Sequence, residues 1–108
     1  LSVRPITIIY SGASGVAPSL LGEGSSLGIR RTEELFSSAL CKRLRRPIVS
    51  TSANISGEPT PLFFSGISPD IVSGVDYLVR YRREDETPRE PSQIIKLGPT
   101  GEVEVLRP

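Results

Sequence analysis

Within residues 47 to 59, Pro-Ile-Val-Ser-Thr-Ser-Ala-Asn-Ile-Ser-Gly-Glu-Pro, a short apolar run gives way to small hydroxyl and amide side chains and then to a Gly/Pro turn. Ser50, Thr51, Ser52 and Asn54 are the residues here suited to holding an anion. Small side chains admit a phosphate or carboxylate to the main chain, hydroxyls donate to its oxygens, and an Asn amide donates and accepts at once. The same residue types also build ordinary turns, so chemistry alone leaves two readings, a ligand site and a polar turn. The ligand reading needs a particular framework. In open α/β sheets ligands settle outside the carboxyl ends of strands, so Ile48 to Ser50 must be a central strand that delivers the loop.

The rest of the chain supplies elements for such a framework. Ile6 to Tyr10 reads as a strand, followed by a loop at Ser11-Gly12-Ala13-Ser14-Gly15. That loop lacks the full Gly-x-Gly-x-x-Gly spacing and ends in no Gly-Lys-Ser/Thr, so it is neither a dinucleotide fingerprint nor a P-loop. Leu27 to Arg30 reads as a second strand. Thr32 is the expected N-cap of a helix of about three turns, with Glu33 and Glu34 complementing the dipole. Leu35, Phe36, Ala39, Leu40 and Leu44 recur at helical spacing, an apolar stripe to lay on the sheet, and Pro47 closes the helix. Ser68-Pro69-Asp70 reads as the cap of a short second helix that Gly74 can end. Tyr77 to Tyr81 is expected to return as a strand, and Arg82 to Pro91 to be an exposed connection rather than an acid/base cluster. Gln93 to Leu97 and Val103 to Leu106 flank Gly98-Pro99-Thr100-Gly101 as a hairpin. The fold class that follows is α/β, a mixed twisted sheet with a few helices.

Composition removes several function classes. The chain has no His, which excludes Ser-His catalysis and the usual zinc constellations. A single Cys allows no intrachain disulfide, and Cys41 is assigned no role. No apolar run approaches the ~20 residues that span a bilayer, and nothing resembles a signal peptide, so a cytoplasmic location without membrane association is expected. The net charge of +1 hides two clusters, Lys42, Arg43, Arg45 and Arg46, and Arg80, Arg82 and Arg83. The first suits either a helix C-terminus or phosphate contacts to RNA. The chain has no Met and starts on a strand-like segment, which points to a removed upstream segment. An edge left by a missing part leads us to expect a homodimer.

Five segments in order resemble the YrdC-like family, the threonylcarbamoyl-AMP synthases. Thr51-Ser52-Ala53-Asn54-Ile55-Ser56-Gly57-Glu58-Pro59 is similar to its signature, Arg4-Pro5-Ile6-Thr7-Ile8-Ile9 to its Pro-x-Thr strand, and Gly28-Ile29-Arg30 to its Gly-(Val/Ile)-Arg segment. Pro91-Ser92-Gln93-Ile94-Ile95 resembles the Pro-Ser-Thr-(Ile/Val) strand and Val105-Leu106-Arg107-Pro108 the closing Leu-Arg-x-Gly. The departures are Arg31-Thr32 where the family often has a proline, Gln93 for Thr, and no final glycine. The resemblance covers essentially the whole chain and corresponds to the C-terminal part, residues 1–108, of a single partial YrdC-like domain.

The resemblance implies a nucleotidyltransferase that condenses threonine, bicarbonate and ATP with Mg²⁺ into threonylcarbamoyl-AMP, which supplies the threonylcarbamoyl group on adenosine 37 of certain tRNAs. It implies that Ser52 and Asn54 hold the nucleotide phosphate and the carbamate or threonine end. Arg30 and Arg107 would sit near the anionic ligand, with Ser92 adding a hydroxyl. The family's Lys-x-Arg motif is absent, so the chain alone is expected to be inactive or to keep a partial site. Two alternatives stand beside it: a double-stranded RNA or tRNA binding module of the same fold, and a related non-synthase carbamoyl-transfer domain.

Overall fold

The computed structural model describes residues 4–108. They form two compact units. One comprises the described chain up to Glu33 together with residues 90–108, and the other is the continuous segment Glu34–Arg89.

The first unit is a four-stranded sheet built from β1 (Ile6–Tyr10), β2 (Leu27–Arg30), β3 (Gln93–Leu97) and β4 (Val103–Arg107), in the order β2-β1-β3-β4. β1 runs antiparallel to β2 and parallel to β3, and β4 returns antiparallel to β3. The sheet is therefore mixed, as the sequence led us to expect. In the β3–β4 hairpin Gly98 donates its amide to the Glu102 carbonyl at 2.8 Å, and Gly101 sits at φ 90, where a side chain would be strained. The glycine loop after β1 is no phosphate cradle, because the Gly12 and Ala13 amides donate to the carbonyls of Gly24 and Ser25 at 3.1 and 2.9 Å.

Register divides the sheet into two unlike faces. Cross-strand partners share a face and neighbours along a strand do not. Ile8 stands beside Ile29 and Ile95, and Ile95 beside Val105. This face is apolar. On the other face the row Arg30, Thr7, Ile94, Arg107 crosses all four strands. Among the described residues no side chain is fully buried; Ile8 and Ile95 are half-buried, while Ile29 and Val105 are exposed.

The second unit holds α1 (Leu35–Leu44) and α2 (Pro69–Gly74), and among the described residues it contains no strand. Two expectations are corrected by this. Ile48 to Ser50 is not the central strand, since a strand exists only when its amides and carbonyls pair with a neighbour. Val49 accordingly stands 69% exposed. Tyr77 to Tyr81 is extended but unpaired, and a side chain takes the place of a ladder: Arg83 donates from Nε to the Val79 carbonyl at 2.8 Å and from Nη2 to the Leu78 carbonyl at 2.7 Å.

The cap of α1 is also corrected, from Thr32 to Glu34. The helix starts at Leu35, too far from Thr32 for a short hydroxyl, whereas the Glu34 carboxylate reaches forward and accepts from the amides of Phe36 and Ser37 at 3.0 and 2.8 Å. At its other end α1 stops not at Pro47 but at Arg45, whose φ of 55 turns the chain left-handed. Its apolar stripe finds an aromatic partner within its own unit, Phe36 stacking on Tyr81 with centroids 5.7 Å apart. α2 begins as expected, with the Ser68 hydroxyl accepting from the Asp70 amide at 3.3 Å and Pro69 in the first turn.

Candidate functional site

In the first unit Ser92 and Arg107 are brought together. Arg107 donates from Nε to the Ser92 carbonyl at 2.8 Å and from Nη2 to the Ser92 hydroxyl at 3.2 Å. A third residue joins them, since the Thr7 hydroxyl lies 2.8 Å from that of Ser92. Arg30 ends β2 in the row that contains Thr7 and Arg107, exposed and on the same face. The result is a hydroxyl pair at the two inner strands with an arginine on each outer strand of the same row. Guanidinium forks and hydroxyls both donate to phosphate and carboxylate oxygens.

A β-bulge makes this grouping possible. From Leu97 to Ile95 the pairing with β4 is regular, Leu97 with Val103, Lys96 with Glu104, and Ile95 with Val105. The next pair is Ile94 with Arg107, so Leu106 is an extra residue in β4. Were the pairing to run on regularly through Leu106, Arg107 would fall on the apolar face, two residues along from Val105. The bulge re-aims Arg107 to the face of Ile94 and Ser92, which is how bulges commonly serve sites.

The remaining candidates belong to the second unit. Ser50, Thr51 and Ser52 lie exposed in irregular chain after α1, and among the described residues their hydroxyls have no protein partner. Asn54 is committed differently from the expectation that its amide both donates to and accepts from a ligand. Its Nδ2 donates to the carbonyls of Ile55 and Glu58, each at 3.1 Å, closing a turn in which the Glu58 amide meets the Ile55 carbonyl at 2.9 Å and Gly57 takes φ 87. Its Oδ1 is buried without a partner. Both donor hydrogens serve the turn and the acceptor is buried, so the side chain has no donor left for a phosphate oxygen.

A cleft of about 360 Å³ in the same unit is lined by Glu34, Phe36, Tyr81, Arg82, Asp85 and Arg89 among others. Its charges satisfy one another. Asp85 accepts from Arg82 at 2.6 Å and from Arg89 at 3.2 Å, and Arg82 lies 3.6 Å from Glu34. Hydrogen bonds from Thr87, then Arg82 and Arg89, hold the Asp85 carboxyl well below its ordinary range. Arg82 to Pro91 is therefore an exposed connection, as expected, braced by its own ion pairs. The depressed Asp85 carboxyl is the opposite of the raised one that a general acid would need.

Thr7 was missed as a site residue, although it stands in the segment that resembles the Pro-x-Thr strand. Among the described residues no cluster of three acidic or Cys side chains can hold a metal ion. Among the described residues no helix is long and apolar enough to cross a membrane. The Sua5/YciO/YrdC family model, described as telomere recombination, matches residues 1–108. No solved structure matches the chain.

Proposed function

Because this chain belongs to the YrdC-like family, we propose that it carries part of the site of an L-threonylcarbamoyladenylate synthase. The reaction joins the threonine amine to bicarbonate, with loss of water, and the resulting carbamate oxygen attacks the α-phosphorus of ATP and displaces pyrophosphate. No step requires a histidine. The task is to hold three anionic groups together while charge shifts on phosphate, which positioning and fixed donors accomplish.

The observation that carries the reading is the Arg107–Ser92–Thr7 cluster with Arg30 in the same row. In it Arg107 supplies charge and its remaining N–H groups, Ser92 a hydroxyl, and Arg30 a second guanidinium. In the other unit Ser50, Thr51 and Ser52 supply hydroxyls for phosphate or carboxylate oxygens. Asn54 braces the turn that follows these hydroxyls.

The test is a titration of isotope-labelled chain with MgATP and with AMP, followed by amide NMR, against a parallel titration with duplex RNA at two salt concentrations. Shifts at Arg30, Ser92, Arg107 and residues 50–54, little affected by salt, are the expected result. Duplex RNA bound more tightly than nucleotide, with steep weakening as salt rises, would replace this reading with that of an RNA-binding module.

A further inference from the structure

Thr7 has no place among the ligand-binding candidates, yet its hydroxyl is 2.8 Å from that of Ser92 and comes from the neighbouring central strand β1. The arithmetic of protons gives that contact a direction. A hydroxyl has one proton to donate and two lone pairs to accept with. Arg107 has no acceptor, so its Nη2 contact at 3.2 Å occupies one lone pair of Ser92. Should Ser92 give its proton to Thr7, it would have none left for a ligand oxygen. When Thr7 instead donates to Ser92, both lone pairs are filled and the Ser92 proton is free to point outward.

We propose that Thr7 is the positioning residue of this site: its hydroxyl fixes the Ser92 rotamer and fills its second lone pair, so that Ser92 donates to the phosphate or carboxylate oxygen of the ligand. Threonine suits the task, because a β-branched side chain in a strand is stiff at χ1. Thr7 pairs with Arg30 on one side and Ile94 on the other, which leaves its backbone little freedom. The ligand half of this inference rests on the nucleotide-site reading above. The rotamer half does not.

The experiment uses the whole chain with Thr7→Val, Thr7→Ser, Ser92→Ala and the Thr7→Val/Ser92→Ala pair. Without ligand, the Ser92 Hα–Hβ couplings are expected to report one rotamer in the parent and in Thr7→Ser and an average in Thr7→Val. A single unchanged rotamer in Thr7→Val overturns the proposal. With AMP as probe, Thr7→Val should weaken binding roughly five- to tenfold, the scale of one hydrogen bond. It should add nothing in the Ser92→Ala background. Equal losses in both backgrounds would assign Thr7 a merely structural role and overturn the proposal. If the parent chain binds no AMP, the nucleotide reading fails while the couplings still decide the role of Thr7. Thr7→Ala carries the same comparison should the valine variant fail to fold.

Discussion

Arg107 grips Ser92 twice, through Nε to the carbonyl at 2.8 Å and through Nη2 to the hydroxyl at 3.2 Å. A planar fork meets two acceptors of one residue, a geometry that an ammonium cannot copy. Arg107→Lys is therefore expected to behave almost as Arg107→Ala, with AMP affinity reduced about tenfold or more, the scale of a hydrogen bond to a charged group. Calorimetric titration checks this. Affinity near that of the parent in the lysine variant would mean that positive charge alone matters at this position.

Deleting Leu106 should remove the bulge, restore regular alternation in β4 and leave Arg107 directly after Val105, still opposite Ile94 and on the face of Ser92. The pairs Leu97 with Val103 and Ile95 with Val105 lie before the bulge and should keep their amide shifts. The Arg107 Nε–H resonance should keep the signature of its carbonyl partner, and AMP affinity should stay near that of the parent rather than fall to that of Arg107→Ala. Loss of that resonance in the deletion variant would contradict the account of Leu106 as the extra residue.

In the Asn54 turn, the Nδ2 group faces two carbonyl oxygens, those of Ile55 and Glu58. Asn54→Asp replaces the donor with an oxygen facing two oxygens, and should cost about 1–3 kcal/mol, more than Asn54→Ala. Gly57→Ala, at φ 87 in the same turn, should cost about 1 kcal/mol. Urea denaturation gives the order. An aspartate variant as stable as the alanine variant would show that the amide does not brace the turn.

Acid should loosen the start of α1. Partial burial raises the Glu34 pKa, but the Ser37 and Phe36 amides, the Ser37 hydroxyl and the Arg82 charge outweigh it and leave the carboxyl below its ordinary 4.5. A group with a depressed folded pKa stabilises fully above its unfolded value and loses that contribution as pH falls through the folded one. Amide protection at Phe36, Ser37 and Ser38 is thus expected to decline as the pH drops below 4.5. Glu34→Gln should remove the pH dependence, and Glu34→Ala should cost about 1 kcal/mol at neutral pH, as loss of a cap does. Protection that stays constant through this range would count against Glu34 as the cap.

Elements that depend on local chemistry were legible in the sequence, and those that depend on a distant partner were not. Ile6–Tyr10, Leu27–Arg30 and the Gln93–Leu97/Val103–Arg107 hairpin follow from β-rich runs and turn residues. Ile48 to Ser50 and Tyr77 to Tyr81 have the same composition, but a strand is a property of a pair, and neither finds one. Thr32 was the better N-cap by residue type, yet the longer Glu34 side chain reaches forward to the amides of the first turn. In the site, the motif that resembles Pro-Ser-Thr pointed to Ser92 and the closing Leu-Arg to Arg107. The contact between them depends on Leu106 being bulged out of the β4 ladder, which leaves no mark in composition. Thr7 became visible only through the pairing of β1 with β3.

Thr7 and Ser92 stand 85 residues apart in the chain, and the whole segment Glu34–Arg89 is made between them. β1 and β2 can associate early, because few residues separate them. The parallel partner of β1 must wait, and closing so long a loop is slow compared with local pairing. During synthesis the inserted segment is complete before β3 emerges, and segments that emerge first have the first opportunity to fold. The hydroxyl pair and the Arg107 contact are then among the last links to form. Assembly of the anion site would thus coincide with completion of the sheet, so a nascent or truncated chain would display its strands before it could hold a ligand.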